Sequence, residues 1–351
     1  MKRGVVLIAT ILGVVILAAC LNLMGAYRSP PGGESTIPAG SAEAGARETA
    51  PPLPDWIEAM LPANPRRYRL AVGGQTMHVM EFGQGFPVLL LHGNPTWGFL
   101  YRKVIQALPP DRFRCIVPDL VGLGLSSKPR LFAEHTLENH VRWFGSLLDQ
   151  LALEQLIFVG QDWGGPIGLR ALADRPGLAR GMVLLNTGAR PPPPGYEATS
   201  FHRFTQYPIL SDFVFRYFDL PQRALHRAQG DAESIRGEVA AAYRYPLRGM
   251  ENNLAPLALA RMVPTDPEPD HPVVQALVVT ERFARSFEGP VAIVWGTRDP
   301  IFGESLGAMV ELLPDAEVHE TQAGHFLQEE EPLLIADAIR GVQERIVPAS
   351  K

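Results

Sequence analysis

Val159-Gly160-Gln161-Asp162-Trp163-Gly164-Gly165 decides how this chain folds. The run Gln155–Val159 leading into it has the make-up of a short buried strand, and Gly165–Ala173 after it has that of a helix. Glycines therefore flank one acidic residue at a strand-to-helix turn. This is the G-x-Nu-x-G form, in which a tight, strained turn lifts one side chain above a sheet. A carboxylate there can attack carbon directly and form an ester, with no base needed to activate it. The competing reading at this point is an aspartate that caps the helix opening at Trp163.

Working outward, strand and helix signals alternate. Arg67–Val72 and Thr76–Phe82 read as a hairpin joined at Gly73-Gly74. Pro87–Leu91 and Phe113–Val117 are strands, with helical spacing over 98–108 and 135–151. Met182–Leu185 is the next strand, and the rhythm breaks at Ala189 in the proline run 191–194. The stretch from there to about Pro272 is aromatic and helical without strand signals. Alternation resumes with a strand at Val291–Trp295, a helix over 304–313, a strand at Glu317–Glu320 and a final helix over 331–346. Short apolar strands between helices imply an α/β fold, a mostly parallel, doubly wound sheet buried on both faces. The helical insertion reads as a lid, or cap, over the C-terminal ends of the strands, where such sheets place their sites.

Composition excludes several classes. With 351 residues, 46% hydrophobic and 20% charged, the chain can bury a sizeable core. A net charge of -5 offers no basic field for nucleic acid. Two cysteines cannot build a disulfide scaffold or a cysteine-rich zinc site.

The N-terminus stands apart. Met1-Lys2-Arg3 is a basic start, Gly4–Ala19 carries no charge, and Leu17-Ala18-Ala19-Cys20 resembles the bacterial lipobox, cut before a cysteine that becomes lipidated. An uncleaved anchor and simple secretion are the alternatives, since the uncharged run to Tyr27 is long enough to span a bilayer. Each places the protein in the cell envelope or beyond it, on the extracytoplasmic side. Residues 21–54, rich in Pro, Gly, Ala, Ser and Glu, read as a flexible linker. The expected plan is thus 1–20 signal or anchor, 21–54 linker, 55–188 core, 189–272 helical cap and 273–351 remaining core.

Four further motifs carry or border chemistry. His92-Gly93-Asn94-Pro95-Thr96-Trp97 follows a strand, and its backbone N–H groups can form half of an oxyanion hole, with the N–H of Trp163 as the other half. A plain Asn-Pro turn is the bland reading of the same residues. Asp119–Ser126 is glycine-rich but lacks the Lys-Ser/Thr pair of a phosphate loop, so it reads as a structural turn. Trp295-Gly296-Thr297-Arg298-Asp299 and Ala323-Gly324-His325-Phe326 each follow a strand. Nucleophile, acid and histidine in that chain order form the hydrolase triad order.

Taken with HGNPTWGFLYR at 92–102, DLVGLGLSSKP at 119–129, VGQDWGGPIGLR at 159–170 and AGHFLQEEEP at 323–332, the chain from about Pro54 to Val347 resembles an α/β-hydrolase, and within that superfamily the haloalkane dehalogenases. The resemblance implies Asp162 as nucleophile, His325 as base, Asp299 as its acid partner, and side-chain N–H donors of Asn94 and Trp163 as the halide site. Asn186 stands where some dehalogenases carry a glutamate acid, and none of the five tryptophans lies in the cap. The set therefore resembles the third dehalogenase subfamily.

The implied reaction forms an alkyl ester on Asp162, then hydrolyses it with water activated by His325. A halide leaving in a dry pocket needs uncharged donors aimed at it, because a Lys or Arg would pair with Asp162 and blunt it. No metal or cofactor is called for. The partners are a small apolar halogenated substrate, water, the halide product and a membrane. An epoxide hydrolase of the same fold, drawing on Tyr207, Tyr217, Tyr243 or Tyr245 as proton donors, is the alternative. A non-catalytic binding protein on a hydrolase scaffold is a third reading. The cap aromatics Phe201, Phe204, Tyr207, Phe213, Phe215, Tyr217 and Phe218 suit an apolar pocket or packing of cap on core.

Overall fold

A computed structural model of the chain describes residues 24–27, 46–193 and 195–346. Nine strands form one sheet: β1 (Glu48–Thr49), β2 (Arg66–Val72), β3 (Gln75–Gly83), β4 (Phe86–Leu91), β5 (Phe113–Pro118), β6 (Leu156–Asp162), β7 (Ala179–Thr187), β8 (Val291–Gly296) and β9 (Glu317–Thr321), in the order β1-β2-β3-β5-β4-β6-β7-β8-β9. From β5 to β9 every pairing is parallel, while β1, β2 and β3 add an antiparallel edge. The expected α/β-hydrolase fold is what forms.

The apolar runs explain the layering. Successive residues of β4 serve opposite faces: Leu89 and Leu91 join one core, Val88 and Leu90 the other. Gly73 and Gly74 both take positive φ, which the two-residue β2–β3 turn requires. Strand β9, at the edge, is largely solvent-facing. The stretch expected as one helix over 98–108 is instead a 3-10 turn, Gly98–Tyr101, followed by a helix at Arg102–Gln106. Its start is tied down where the N–H of Gly98 donates to Asp119 Oδ1 at 2.7 Å. The helix Leu137–Leu151 begins two residues later than its spacing suggests, because the Thr136 side chain caps it by accepting from the N–H of Asn139.

Sheet order turns around between β4 and β6, since β5 lies to one side of β4 and β6 to the other. The crevice above such a reversal is where open α/β sheets place ligands. Between β7 and β8 the described residues hold no strand. Short helices at Ser200–Thr205, Leu210–Asp212, Leu220–Arg223, Gly237–Arg244 and Ala255–Arg261 build the cap. The longer helix Pro272–Arg285 then returns to the core and packs on Gly164–Ala173.

Two pieces of the expected linker are seated on the domain. Glu48–Thr49 pairs with β2, and Met24–Tyr27 lies against the cap with Ala26 buried beside Leu254 and Ala258. No helix among the described residues is long and apolar enough to cross a membrane. The apolar run 4–19 and Cys20 lie outside the described residues.

Candidate active site

Asp162 ends β6 and Gly164 opens the next helix, so a single residue, Trp163, separates strand from helix. Asp162 takes φ +49, a region that costs a non-glycine residue energy and persists only when its surroundings enforce it. Thr187 supplies part of that enforcement, its Oγ1–H donating to the carbonyl of Asp162 at 2.6 Å. The flanking glycines are needed for closeness. A Cβ at Gly164 would sit 2.3 Å from the carbonyl oxygen of Leu91, and one at Gly165 1.9 Å from Thr187 Oγ1. The next helix is not capped by the Asp162 side chain; Trp163 is the N-cap residue and makes no side-chain cap. The carboxylate is free to point elsewhere.

It points at two partners. The backbone N–H of Asn94 donates to Asp162 Oδ1 at 2.7 Å, and His325 Nε2 lies 3.7 Å from Oδ2. His325 is fully buried, and its Nδ1 lies 2.8 Å from Asp299 Oδ2. With the Nδ1–H on Asp299, Nε2 presents its lone pair toward Asp162. The other oxygen of Asp299 accepts from the N–H of Ile301 at 2.7 Å. Phe302 stacks parallel to the imidazole at 6.1 Å and Phe326 meets it edge-on at 4.7 Å, which fixes the ring plane.

Burial is the largest influence on all three groups. It raises the Asp162 carboxyl above its ordinary pKa, against the pull of His325 and the N–H groups of Asn94 and Trp163. Burial by itself would lower His325, but the charges of Asp299 and Asp162 outweigh it and its pKa stands above the usual histidine value. Asp299 is held below the carboxylate range although burial opposes this, because His325, the Ile301 N–H and Asn186 all favour its charged form. The contrast follows from geometry: Asp299 is within hydrogen-bond reach of the ring, whereas Asp162 is not.

Asn94 and Trp163 lie beside the nucleophile. The Asn94 Nδ2 donates one hydrogen to the carbonyl of Pro256 in the cap at 3.0 Å, and a side-chain amide carries a second. Trp163 is almost buried, and its indole nitrogen is a donor only. Gly93 brings this loop close: a Cβ there would sit 2.3 Å from Asp162 Cβ. His92 is structural, since its Nδ1 engages the carbonyl of Gly93 and its Nε2 accepts from the N–H of Leu120. The turn at 119–126 is structural too, organised by Asp119, which accepts from the N–H groups of Gly98 and Leu125 and pairs with His78.

Residues 87–332 match the α/β hydrolase fold family. Haloalkane dehalogenase 2 of Mycobacterium tuberculosis is 34% identical over 276 residues, 75% of this chain and 90% of that protein. The chain belongs to the haloalkane dehalogenase family. A crystal structure of the haloalkane dehalogenase from Agrobacterium tumefaciens C58 superposes with a TM-score of 0.72 at 25% identity, covering 82% of this chain and 99% of that one. A cis-3-alkyl-4-alkyloxetan-2-one decarboxylase of Shewanella oneidensis is also related, 31% identical over 78% of this chain and 86% of that protein.

Against that family background, several site residues come from structure and not from motif reading. Gln161, fully buried, donates from Nε2 to the carbonyl of His325 at 3.1 Å and lies 3.3 Å from His325 Nε2. Asn186 contacts Asp299 directly. From the cap, the carbonyl of Ala228 accepts from the N–H of His325 at 2.7 Å, and Gln229 bonds the backbone of Phe326 in both directions. The position of Gln161 inside the nucleophile motif was the one signal available for any of these. Of the cap aromatics, Phe215 is buried against Leu257 and Ala260, but Phe201, Tyr207, Tyr217 and Phe218 face outward. Those four leave roughly half of their surface to solvent, although Phe201 also packs on Phe215 at 5.8 Å.

Proposed function

We propose that this haloalkane dehalogenase family member converts a haloalkane and water to an alcohol, a halide ion and a proton. The observation that carries the reading is a buried carboxylate with uncharged N–H donors beside it and a histidine–aspartate pair behind it. Asp162 Oδ2, the oxygen not held by Asn94, attacks the halogen-bearing carbon, and the carbon–halogen bond breaks with its electron pair leaving on the halide. The Trp163 indole and the second Asn94 hydrogen receive that ion without pairing with the nucleophile. Water then attacks the carboxyl carbon of the ester while His325 Nε2 takes its proton. The N–H groups of Asn94 and Trp163 hold the oxyanion, and Asp299 stabilises the imidazolium.

Placement speaks against three of the four candidate tyrosine donors for epoxide opening. The hydroxyl of Tyr243 is committed to buried Glu329, and Tyr207 and Tyr217 face solvent. The test is halide release from 1-bromoalkanes, run beside diol formation from epoxides and carbon dioxide release from a 3,4-dialkyloxetan-2-one. Trp163→Phe should cut bromoalkane turnover by about 3 kcal/mol of transition-state stabilisation with little change in melting temperature. Halide release by neither protein, with product from another arm, would replace the reading.

The N-terminal sequence supports a place for the enzyme on the cell envelope, held by a lipid on Cys20 or by the apolar segment itself. Intact mass of membrane-extracted protein decides between them: a lipid-modified chain starting at Cys20, or a chain that still starts near Met1.

A further inference from the structure

The outward-facing cap aromatics belong to a larger apolar surface. Tyr207, Ile209, Leu210, Tyr217, Phe218 and Leu220 are each 42–62% exposed and fall within fourteen consecutive residues. Exposed apolar residues scattered singly are ordinary, but a cluster of this density marks an interaction surface. The backbone under it is strained at one end, where Ile209 holds φ +65, a conformation that a β-branched residue avoids. Such strain persists where surrounding structure enforces it and gathers at functional sites.

What covers this surface follows from where the N-terminal segment is seated. The hydroxyl of Tyr27 donates to Asp212, which lies inside the apolar stretch, and the Tyr27 ring packs on Phe132 at 4.8 Å and under the Arg261 guanidinium. Asp212 is fully buried and also holds Arg216 at 3.0 Å and Arg261 at 3.2 Å, so the seat is built from charged groups with partners. The N–H of Phe132 donates to the carbonyl of Ala26 at 2.9 Å. Cys20 precedes Met24 by four residues, which can reach at most about 14 Å. Whatever plane holds Cys20, or the apolar run before it, therefore lies within that distance of the cap. Tyrosines beside aliphatic residues are the composition of a protein surface at the headgroup level. Arg203 and Arg223, both more than half exposed, border the same stretch, each within 4 Å of a carboxylate (Glu197 at 3.7 Å and Asp219 at 3.9 Å) that lipid phosphate would have to displace.

We propose that the surface formed by residues 207–220 rests on the lipid bilayer that carries the N-terminus, so that the cap faces the phase in which apolar substrates dissolve. This rests on the envelope-anchored reading above. A second copy of the chain is the competing occupant.

The test uses the full-length protein in phosphatidylglycerol–phosphatidylethanolamine vesicles. Leu210→Cys, Leu220→Cys and Glu344→Cys are each labelled with an NBD fluorophore, with the parent protein as blank. Glu344 pairs with Arg112, just before β5, so it marks the end of the sheet opposite the cap. Doxyl-labelled lipid should quench most of the emission at positions 210 and 220 and little at 344. Vesicle-bound protein whose labels at 210 and 220 are quenched only by aqueous iodide overturns the cap surface and leaves anchoring intact. Labels shielded from both quenchers, with crosslinked dimers, assign the surface to a second copy. Protein that does not sediment with vesicles overturns anchoring and the surface together.

Discussion

Asn186 donates from Nδ2 to Asp299 Oδ2 at 2.8 Å, so the next-to-last residue of β7 supports an acid that follows β8. The same nitrogen donates to the carbonyl of Gly296 at 2.9 Å, and Asn186 Oδ1 accepts from the N–H of Gly296 at 2.7 Å. An asparagine cannot be the carboxylate partner of His325, yet it fixes the one that is. Asn186→Ala leaves the Gly296 groups and one Asp299 oxygen short of partners in a buried place. We expect a stability loss of about 1–3 kcal/mol in denaturant titration and roughly tenfold slower turnover. Unchanged turnover with lowered stability would confine Asn186 to a structural role.

His325→Phe separates bond breaking from hydrolysis. Asp162 needs no proton removed before it attacks, so the variant should release one halide per protein and stop. Mass spectrometry after incubation with a bromoalkane should find the alkyl group on the peptide containing Gln161-Asp162-Trp163. Continuous turnover, or an adduct on another residue, would sink the two-step assignment.

Asp299→Asn should change both the height and the position of the pH profile. The charge of Asp299 helps to hold the His325 pKa above its ordinary value. The base is the neutral ring, so turnover is lost as pH falls through that pKa. Removing the charge lowers the pKa and moves the acid limb to lower pH. The plateau should fall by up to about 10⁴-fold because imidazolium loses its counter-charge. The measurement is single-turnover ester hydrolysis against pH, and a limb that stays in place would assign the raised pKa to another group.

Gly93→Ala tests the closeness of the loop to the nucleophile. The new methyl would meet Asp162 Oδ1 at 2.3 Å, so one of the two must move. A displacement near 1 Å at a reacting group costs on the order of 10²-fold. We expect that loss in the halide burst rate, with the fold retained by circular dichroism.

The triad was legible in the sequence because Asp162, Asp299 and His325 each lie within three residues of a glycine, at or just after the end of a strand, where local pattern and chemistry coincide. The sheet was legible for the same reason. Gln161 and His325, however, are 164 positions apart, and Asn186 and Asp299 are 113 apart. Nothing in a strand's periodicity reports what faces it across the crevice. The direction of the cap aromatics was hidden for another cause. Helices of three to six residues, joined by a π-helical turn at Phe213–Tyr217, never run long enough for a 3.6-residue period to mark an inner and an outer side.

The bond from Asn94 to the carbonyl of Pro256 makes cap and core less separable than their chain order suggests. Asn94 serves three surfaces at once in the proposed mechanism: its backbone N–H meets Asp162, one side-chain hydrogen meets the cap, and the other receives the leaving group. A chimaera that exchanges residues 189–272 for the cap of a relative inherits this constraint. It must return a backbone carbonyl to the place of Pro256, or the amide will turn to find another acceptor and carry its remaining hydrogen away from the departing ion. Substrate range in this scaffold is therefore better altered within the existing cap than by transplanting a whole one.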